Sequence, residues 1–301
     1  MILTIIGLSL FEIITSIDNA VVNADVLSTM RPPARRWFLL WGFIIAVFAT
    51  RGILPLIIIW SSSPQLSFVE VIRATFSGDQ AVMHAIEASA PILLIGGGTF
   101  LIFLFFHWLF LEPKQYGLRG ERFFHAQGAW FFAIISIVLA AIVWFALQQS
   151  PLMGFSAVLG STAFFIIHGF RQYAQEQEQR LTRDHKMSDV SKIAYLEVLD
   201  TTFSIDGVVG AFAFTLSVPL ILIGNGLGAL VLRRLTVSNI DTIKRYRYLK
   251  NGAMYSILFL GLIMVADSFG AHLPAWISPV ITFGTVAYFL QKSRQEPQPL
   301  S

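Results

Sequence analysis

Nine long apolar runs limit this chain to very few architectures. They lie at roughly 2–26, 37–60, 89–111, 127–147, 151–170, 191–216, 219–236, 250–269 and 275–291. A helix of about 20 apolar residues matches the hydrocarbon thickness of a bilayer. Backbone in lipid must satisfy its own hydrogen bonds, so only helices and closed barrels span it. Barrel strands alternate apolar and polar residues, whereas these runs are nearly continuous. The expected fold is therefore an all-α polytopic membrane protein of about nine transmembrane helices, a single membrane domain over residues 1–301. Charged residues make up 13% of the chain, against about 25% in an ordinary soluble domain.

The basic residues test this layout, because cytoplasmic loops collect Lys and Arg. With the N-terminus outside, the inner segments carry Arg31, Arg35, Arg36, Lys114, Arg119, Arg122, Arg171, Arg180, Arg183, Lys186 and Lys192. They also carry Arg233, Arg234, Lys244, Arg245, Arg247, Lys250, Lys292 and Arg294, which makes 19 of the 21 Lys and Arg. Arg73 alone falls outside, and Arg51 lies within the second run. The pattern predicts an outer N-terminus and a cytoplasmic C-terminus. Met1 leads straight into the first run without the charged leader of a cleaved signal, so that run is expected to stay. Basic residues placed this way speak of topology and membrane lipid, not of nucleic acid. The chain has no cysteine, which excludes disulfides and thiolate metal ligands. Between the second and third runs, residues 61–88 are mixed in polarity and read as short outer surface helices. Residues 171–192 read as a solvated cytoplasmic connector.

Against this background the carboxylates stand out. Glu12 and Asp18 lie inside the first run, and Glu197, Asp200 and Asp206 inside the sixth. An ionised Asp at the bilayer centre costs roughly 2.5–3.5 kcal/mol on insertion scales. At about 1.5 Å per residue, Glu12, Asp18, Asp200 and Asp206 fall in the middle half of the membrane. Asp25 and Asp267 sit near run ends, within reach of water.

The two acidic stretches are also copies of one another. FEIITSIDNAVV in the first half and YLEVLDTTFSIDGVV in the second both read acid, three residues, Ser, Ile, Asp. Glu12 aligns with Asp200 and Asp18 with Asp206. The likeness continues downstream: VFATRGIL resembles LVLRRLTV, matching Arg51 with Arg233, and GGTFLIFLFF resembles NGAMYSILFL. Five runs separate the copies, so they run in opposite directions. The expected organisation is a first repeat at 1–111, linking helices and a cytoplasmic loop (171–190) at 112–190, an inverted repeat at 191–270, and a last helix and tail at 271–301. Inverted repeats build alternating-access transporters with the substrate at the repeat interface.

Asp18-Asn19 and Asp206-Gly207 are turn-favouring pairs. Asp18 would point about 120° from Glu12 on an unbroken helix. A local break at each Asp, with Gly207 as the loosening residue in the second copy, would let the acids and freed carbonyls converge. A lone buried acid paired with Arg51 or Arg233 would only hold helices together. Four repeat-related acids exceed those two arginines, and a cation balances the surplus. The candidate ligands are Glu12, Asp18, Asn19, Glu197, Asp200 and Asp206, with hydroxyls on Thr15, Ser16, Thr201, Thr202 and Ser204. Such a hard oxygen set suits Mn²⁺, Ca²⁺ or Mg²⁺. His107 and His168 lie outside the repeated motif and read as satisfied polar residues near an interface, as does His84 in the outer segment.

These motifs, with GGGTFLIFLFF and RRLTVSNIDTIKRYRYLKNGAMYSI, resemble the TerC-like integral membrane proteins, in a branch labelled only as a domain of unknown function. The resemblance covers roughly residues 5–270. It implies divalent metal handling, chiefly manganese export, in a fold related to the lysine-exporter superfamily. It places metal ligands at Glu12, Asp18, Asn19, Asp200 and Asp206. The functional expectation is Mn²⁺ efflux from the cytoplasm by alternating access, in a bacterial inner membrane, with Arg51 and Arg233 as gates. A Ca²⁺ or other divalent cation/proton exchanger is the alternative. An intramembrane aspartyl protease or a membrane scaffold are the rival classes. The sequence leaves the oligomeric state open.

Overall fold

The structure, a computed structural model, describes residues 1–28, 30–63, 65–77, 80–183, 188–244 and 246–296. Among them there are helices and turns and no strand. The first run forms two helices, α1 (Ile2–Thr15) and α2 (Ile17–Ser28), interrupted at Ser16. The second is a continuous helical rod built of α3 (Pro32–Trp37), α4 (Phe43–Phe48) and α5 (Leu54–Ser62). Two π-helical turns, Phe38–Gly42 and Ala49–Ile53, join those pieces. A short outer helix, α6 (Phe68–Ser77), precedes α7 (Gln80–Phe110). Then come α8 (Arg119–Ala126), α9 (Phe131–Gln149), α10 (Pro151–Arg183), α11 (Asp189–Ala211), α12 (Val218–Lys244), α13 (Leu249–Ser268) and α14 (Ile277–Gln295).

Five helical stretches are long and apolar enough to cross a membrane: Pro32–Ser62, His84–Phe110, Gly128–Gln149, Pro151–Tyr173 and Leu249–Ser268. The runs at 2–26, 191–216, 219–236 and 275–291 also fall on helices, but these fall short of that length or apolarity. The shortfall has a physical source, since Glu12, Glu197, Asp200 and Asp206 lie in two of them. The outer faces carry large exposed apolar side chains, among them Phe132, Ile137, Trp144 and Phe145 on α9. In water such a belt would drive association, whereas lipid accepts it.

The core is aromatic. Phe100, Phe103 and Trp108 of α7, Phe131 of α9 and Phe164 of α10 are each at most 3% exposed. α7 packs along α13 and α10, and α1 packs along α12. Where α7 crosses α10 the backbones touch, because a Cβ on Gly160 would overlap the carbonyl of Gly96. Small residues allow such crossings where no water drives helices together.

Three expectations are corrected. The interruption in the first acidic stretch falls at Ser16, two residues before Asp18 (φ −97°, ψ 5°). Thr15 Oγ1 donates to the Phe11 carbonyl at 2.9 Å, and Ser16 Oγ to the Glu12 carboxylate at 2.8 Å. Both hydroxyls give the chain polar contacts beside the helix ladder. In the second stretch there is no break at Gly207, because α11 runs unbroken from Asp189 to Ala211. The fifth run also continues as helix to Arg183, well past the expected limit. Its polar extension, RQYAQEQEQR, is rich in residues that favour helix in water.

Candidate functional site

Glu12 is drawn into the bundle by the glycines of α12. A Cβ on Gly228 would lie 2.7 Å from the Glu12 Cβ, and Ser9 Oγ donates to the Gly224 carbonyl at 2.8 Å. At 1% exposure a carboxylate must be paired. Its partner is Arg51, itself 3% exposed, which projects from the second π-turn. A π-turn shifts the register of the side chains around it, and such turns recur at functional sites. The same guanidinium donates to Thr50 Oγ1 at 3.2 Å and to Ser204 Oγ at 3.4 Å. Asp200 lies within electrostatic reach of both Arg51 and Glu12, and accepts a hydrogen bond from Asn19 Nδ2. The two acidic motifs therefore meet around one arginine.

The helical period of α11 divides its acids. Asp200, Ser204 and Gly207 share the face toward Glu12. A Cβ on Gly207 would lie 3.0 Å from Glu12 Oε2 and 3.6 Å from Thr15 Oγ1. Gly207 thus serves close approach, which accounts for a glycine in an unbroken helix. Asp206, two residues from Ser204, points the other way and pairs with Arg171 of α10 at 2.6 Å. Arg171 also donates to the Thr202 carbonyl at 3.4 Å.

Each face opens on a cavity. The one beside Arg51 measures about 90 Å³, enough for a few waters or a partly hydrated ion. Asn19, Asn23, Glu197, Asp200 and Arg233 contribute to its lining. Glu197 occupies the space above Gly42, where a side chain would collide with its carboxylate. In this cavity Asn19 Oδ1, Asn23 Oδ1 and Glu197 Oε1 are buried acceptor oxygens that make no hydrogen bond among the described residues, as is Glu12 Oε2 behind the Arg51 and Ser16 wall. Three carboxylates, of Glu12, Glu197 and Asp200, stand against the guanidinium groups of Arg51 and Arg233. The second cavity, about 360 Å³, lies on the Asp206 side. Its lining includes Asn19, His107, Glu112, His168, Arg171 and Lys250.

The predicted ligand set is thus split. Asn19, Glu197 and Asp200 line the smaller cavity with Glu12 paired to Arg51 of its wall, and Asp206 turns to the larger one, which Asn19 also reaches. Thr201 is exposed, and its hydroxyl bonds its own helix at the Glu197 carbonyl. The side chain of Asp18 lies outside the described residues. Among the described residues no three His, Asp or Glu converge closely enough to hold a metal ion as they stand. Sequence reasoning missed Asn23, although its spacing of four from Asn19 places both on one helical face. It also missed Arg171 as the counter-charge of Asp206, for which the sequence holds no local signal. His107 and His168 come together in space, with ring centroids 3.9 Å apart, although 61 positions separate them.

A profile of a family described as proteins of unknown function, DUF475, matches residues 17–296. The chain belongs to this family. Two curated relatives carry names that stop at the membrane. An uncharacterized membrane protein of Rickettsia prowazekii is 29% identical over 102 residues, 32% of this chain and 34% of the relative. One of Rickettsia felis is 27% identical over 106 residues, 34% of this chain and 35% of the relative. The match thus spans about a third of either relative's length. No solved structure matches the chain. With the apolar helices, these likenesses place the protein among integral membrane proteins.

Proposed function

We propose that this DUF475 protein transports divalent cations, with Mn²⁺ leaving the cytoplasm by alternating access as the leading case. The observation that carries the reading is the set of buried, unpaired acceptor oxygens on Asn19, Asn23 and Glu197 in a small cavity that Asp200 also lines, with Glu12 held behind Arg51 and Ser16 of its wall. Oxygen acceptors left without donors destabilise the fold unless a cation or water uses them. Carboxylates and amides without imidazole or thiolate suit Mn²⁺, Ca²⁺ or Mg²⁺ better than zinc or copper. The resemblance to TerC-like proteins points the same way.

In this mechanism the dication is the substrate, and it competes with Arg51 for Glu12 and Asp200. A guanidinium at Glu12 closes the carboxylates to each other's repulsion when no ion is engaged. An arriving dication takes its place, and Arg51 swings aside as a gate. Arg233, on the wall of the same cavity, is placed to serve the opposite gate. The inverted-repeat relation of the two acidic stretches supplies the symmetry that alternating access uses. Asp200 and Asp206 face opposite ways, which does not suit an aspartyl dyad sharing one proton. A Ca²⁺ or other divalent cation/proton exchanger uses the same residues in the same way. The resemblance to TerC-like proteins supplies efflux as the direction, and the topology expected from Lys and Arg puts the cytoplasm on the side of the basic segments.

Purified protein in liposomes should carry saturable Mn²⁺ flux, and Asp200→Asn or Glu12→Gln should each cut it about tenfold or more. Flux unchanged in both variants would overturn the site.

A further inference from the structure

The proposed metal site shares only Asn19 with the larger cavity on the far side of α11. There His107 is 7% exposed, and its Nδ1 makes no hydrogen bond although Glu112 Oε1 stands 3.4 Å away. His168 of α10 lies against it, tilted by 54°. Lys250 of α13 holds the other Glu112 oxygen at 2.9 Å. Arg171 of α10 and Asp206 of α11 complete the charged lining. Phe131 and Phe164 close the apolar side of His107.

We propose that this cavity holds a proton-binding site, the His107–His168 pair with Glu112 and Lys250, through which the transporter takes up its counter-ion. The proposal rests on the transport reading and adds its coupling ion and the route of that ion. Imidazole changes charge near neutrality, which carboxylates in water do not. Two rings this close cannot both be cationic at low cost, so the pair titrates as a unit and holds one proton. Glu112 is shared between an ammonium and an imidazole. Protonation of His107 draws the carboxylate toward the ring and loosens Lys250. The proton comes from a hydronium in cavity water, sits on a ring nitrogen lone pair, and returns to water when the pair becomes neutral again. No other bond changes. A metal ion is the wrong occupant, because Lys250 already places a cation on Glu112 and no three ligands converge among the described residues.

Communication with the metal cavity has a physical route. Asn19 lines both cavities and donates to Asp200. α11 presents Asp200 to one cavity and Asp206 to the other, so a shift of that helix reshapes both.

The test uses the full chain in liposomes, with one dye for Mn²⁺ and one for internal pH. In the parent protein an opposed pH gradient should accelerate Mn²⁺ flux about fivefold. His107→Gln and His168→Gln should abolish that acceleration and leave downhill Mn²⁺ flux within about twofold. Acceleration retained in both variants overturns the proposal. Metal-free protein in nanodiscs provides a readout independent of flux. Its imidazole ¹⁵N shifts should report one proton taken up by the pair over about pH 5 to 8. Two independent titrations overturn the proton site. A parent protein with no Mn²⁺ flux sinks the transport reading instead, and the imidazole titration then decides the proton site alone.

Discussion

Glu12 and Arg51 show how one buried pair can serve both stability and function. Removing one charge from a buried ion pair leaves the other uncompensated, at about 3–5 kcal/mol. Asp200 remains within reach of Arg51, so Glu12→Gln should fall at the lower end of that range. The double variant Glu12→Gln/Arg51→Met should recover part of the loss, because no stranded cation remains. Thermal unfolding of the three variants in detergent checks this, and a double variant no better than the single would contradict it. Glu112, in the loop after α7, offers a second test. Burial alone would raise its carboxyl, but the neighbouring His107 imidazole and the Lys250 ammonium outweigh burial and hold it below the usual carboxylate range. A carboxyl depressed in the folded state stabilises the fold above its unfolded value of about 4.3. That stabilisation is lost as pH falls from there through the lower folded value. Glu112→Gln should therefore be less stable at neutral pH and should flatten the loss of stability below about pH 4.3. An unchanged acid limb would show that Glu112 is not its source.

Among the helices, small residues decide which partners lie close. Gly160 lets α10 reach the backbone of α7, and through it His168 reaches His107. Gly160→Ala places a methyl on the Gly96 carbonyl oxygen, which cannot move without its helix. Overpacking of this kind costs typically about 1–3 kcal/mol. A lowered unfolding midpoint with α-helical content retained is the expected result, and an unshifted midpoint would show that the crossing is looser than described. The helices themselves were legible from apolar runs and propensity. The polar extension of α10 was not, because hydropathy registers membrane length and is silent on helix continuing into water. The interruption at Ser16 was placed two residues late. Turn propensity pointed to Asp18-Asn19, whereas Thr15 and Ser16 have the hydroxyls that reach a carbonyl and a carboxylate in this fold.

For the molecule as a whole, the two cavities lie on the same side of the helix bundle, toward the basic segments, but between different helices. Residues of α2, α11 and α12 nearest the basic segments line the smaller, and the end of α7, residues 164–172 of α10 and the start of α13 line the larger. With the expected topology both open toward the cytoplasm. The absence of cysteine makes the chain a clean background for labelling. Single cysteines at Ser150 and Ser217 should react with an impermeant maleimide from outside intact cells, whereas Tyr116→Cys and Glu296→Cys should react only after the membrane is opened. Reversed labelling would overturn the expected topology.

Periodicity and composition sufficed to establish an all-helical membrane protein with paired intramembrane acids, because lipid leaves a backbone so few options. The identity of the neighbours of those acids was settled only by the packing. Arg51 was readable as a charge in a span, but a π-turn aims it at Glu12. Asp206 was readable as a twin of Asp18, but the unbroken turn of α11 sends it away from Glu12 toward Arg171. Pairing of side chains from distant helices depends on crossing distance and rotation about each axis. Those quantities follow from the whole set of contacts and have no local code.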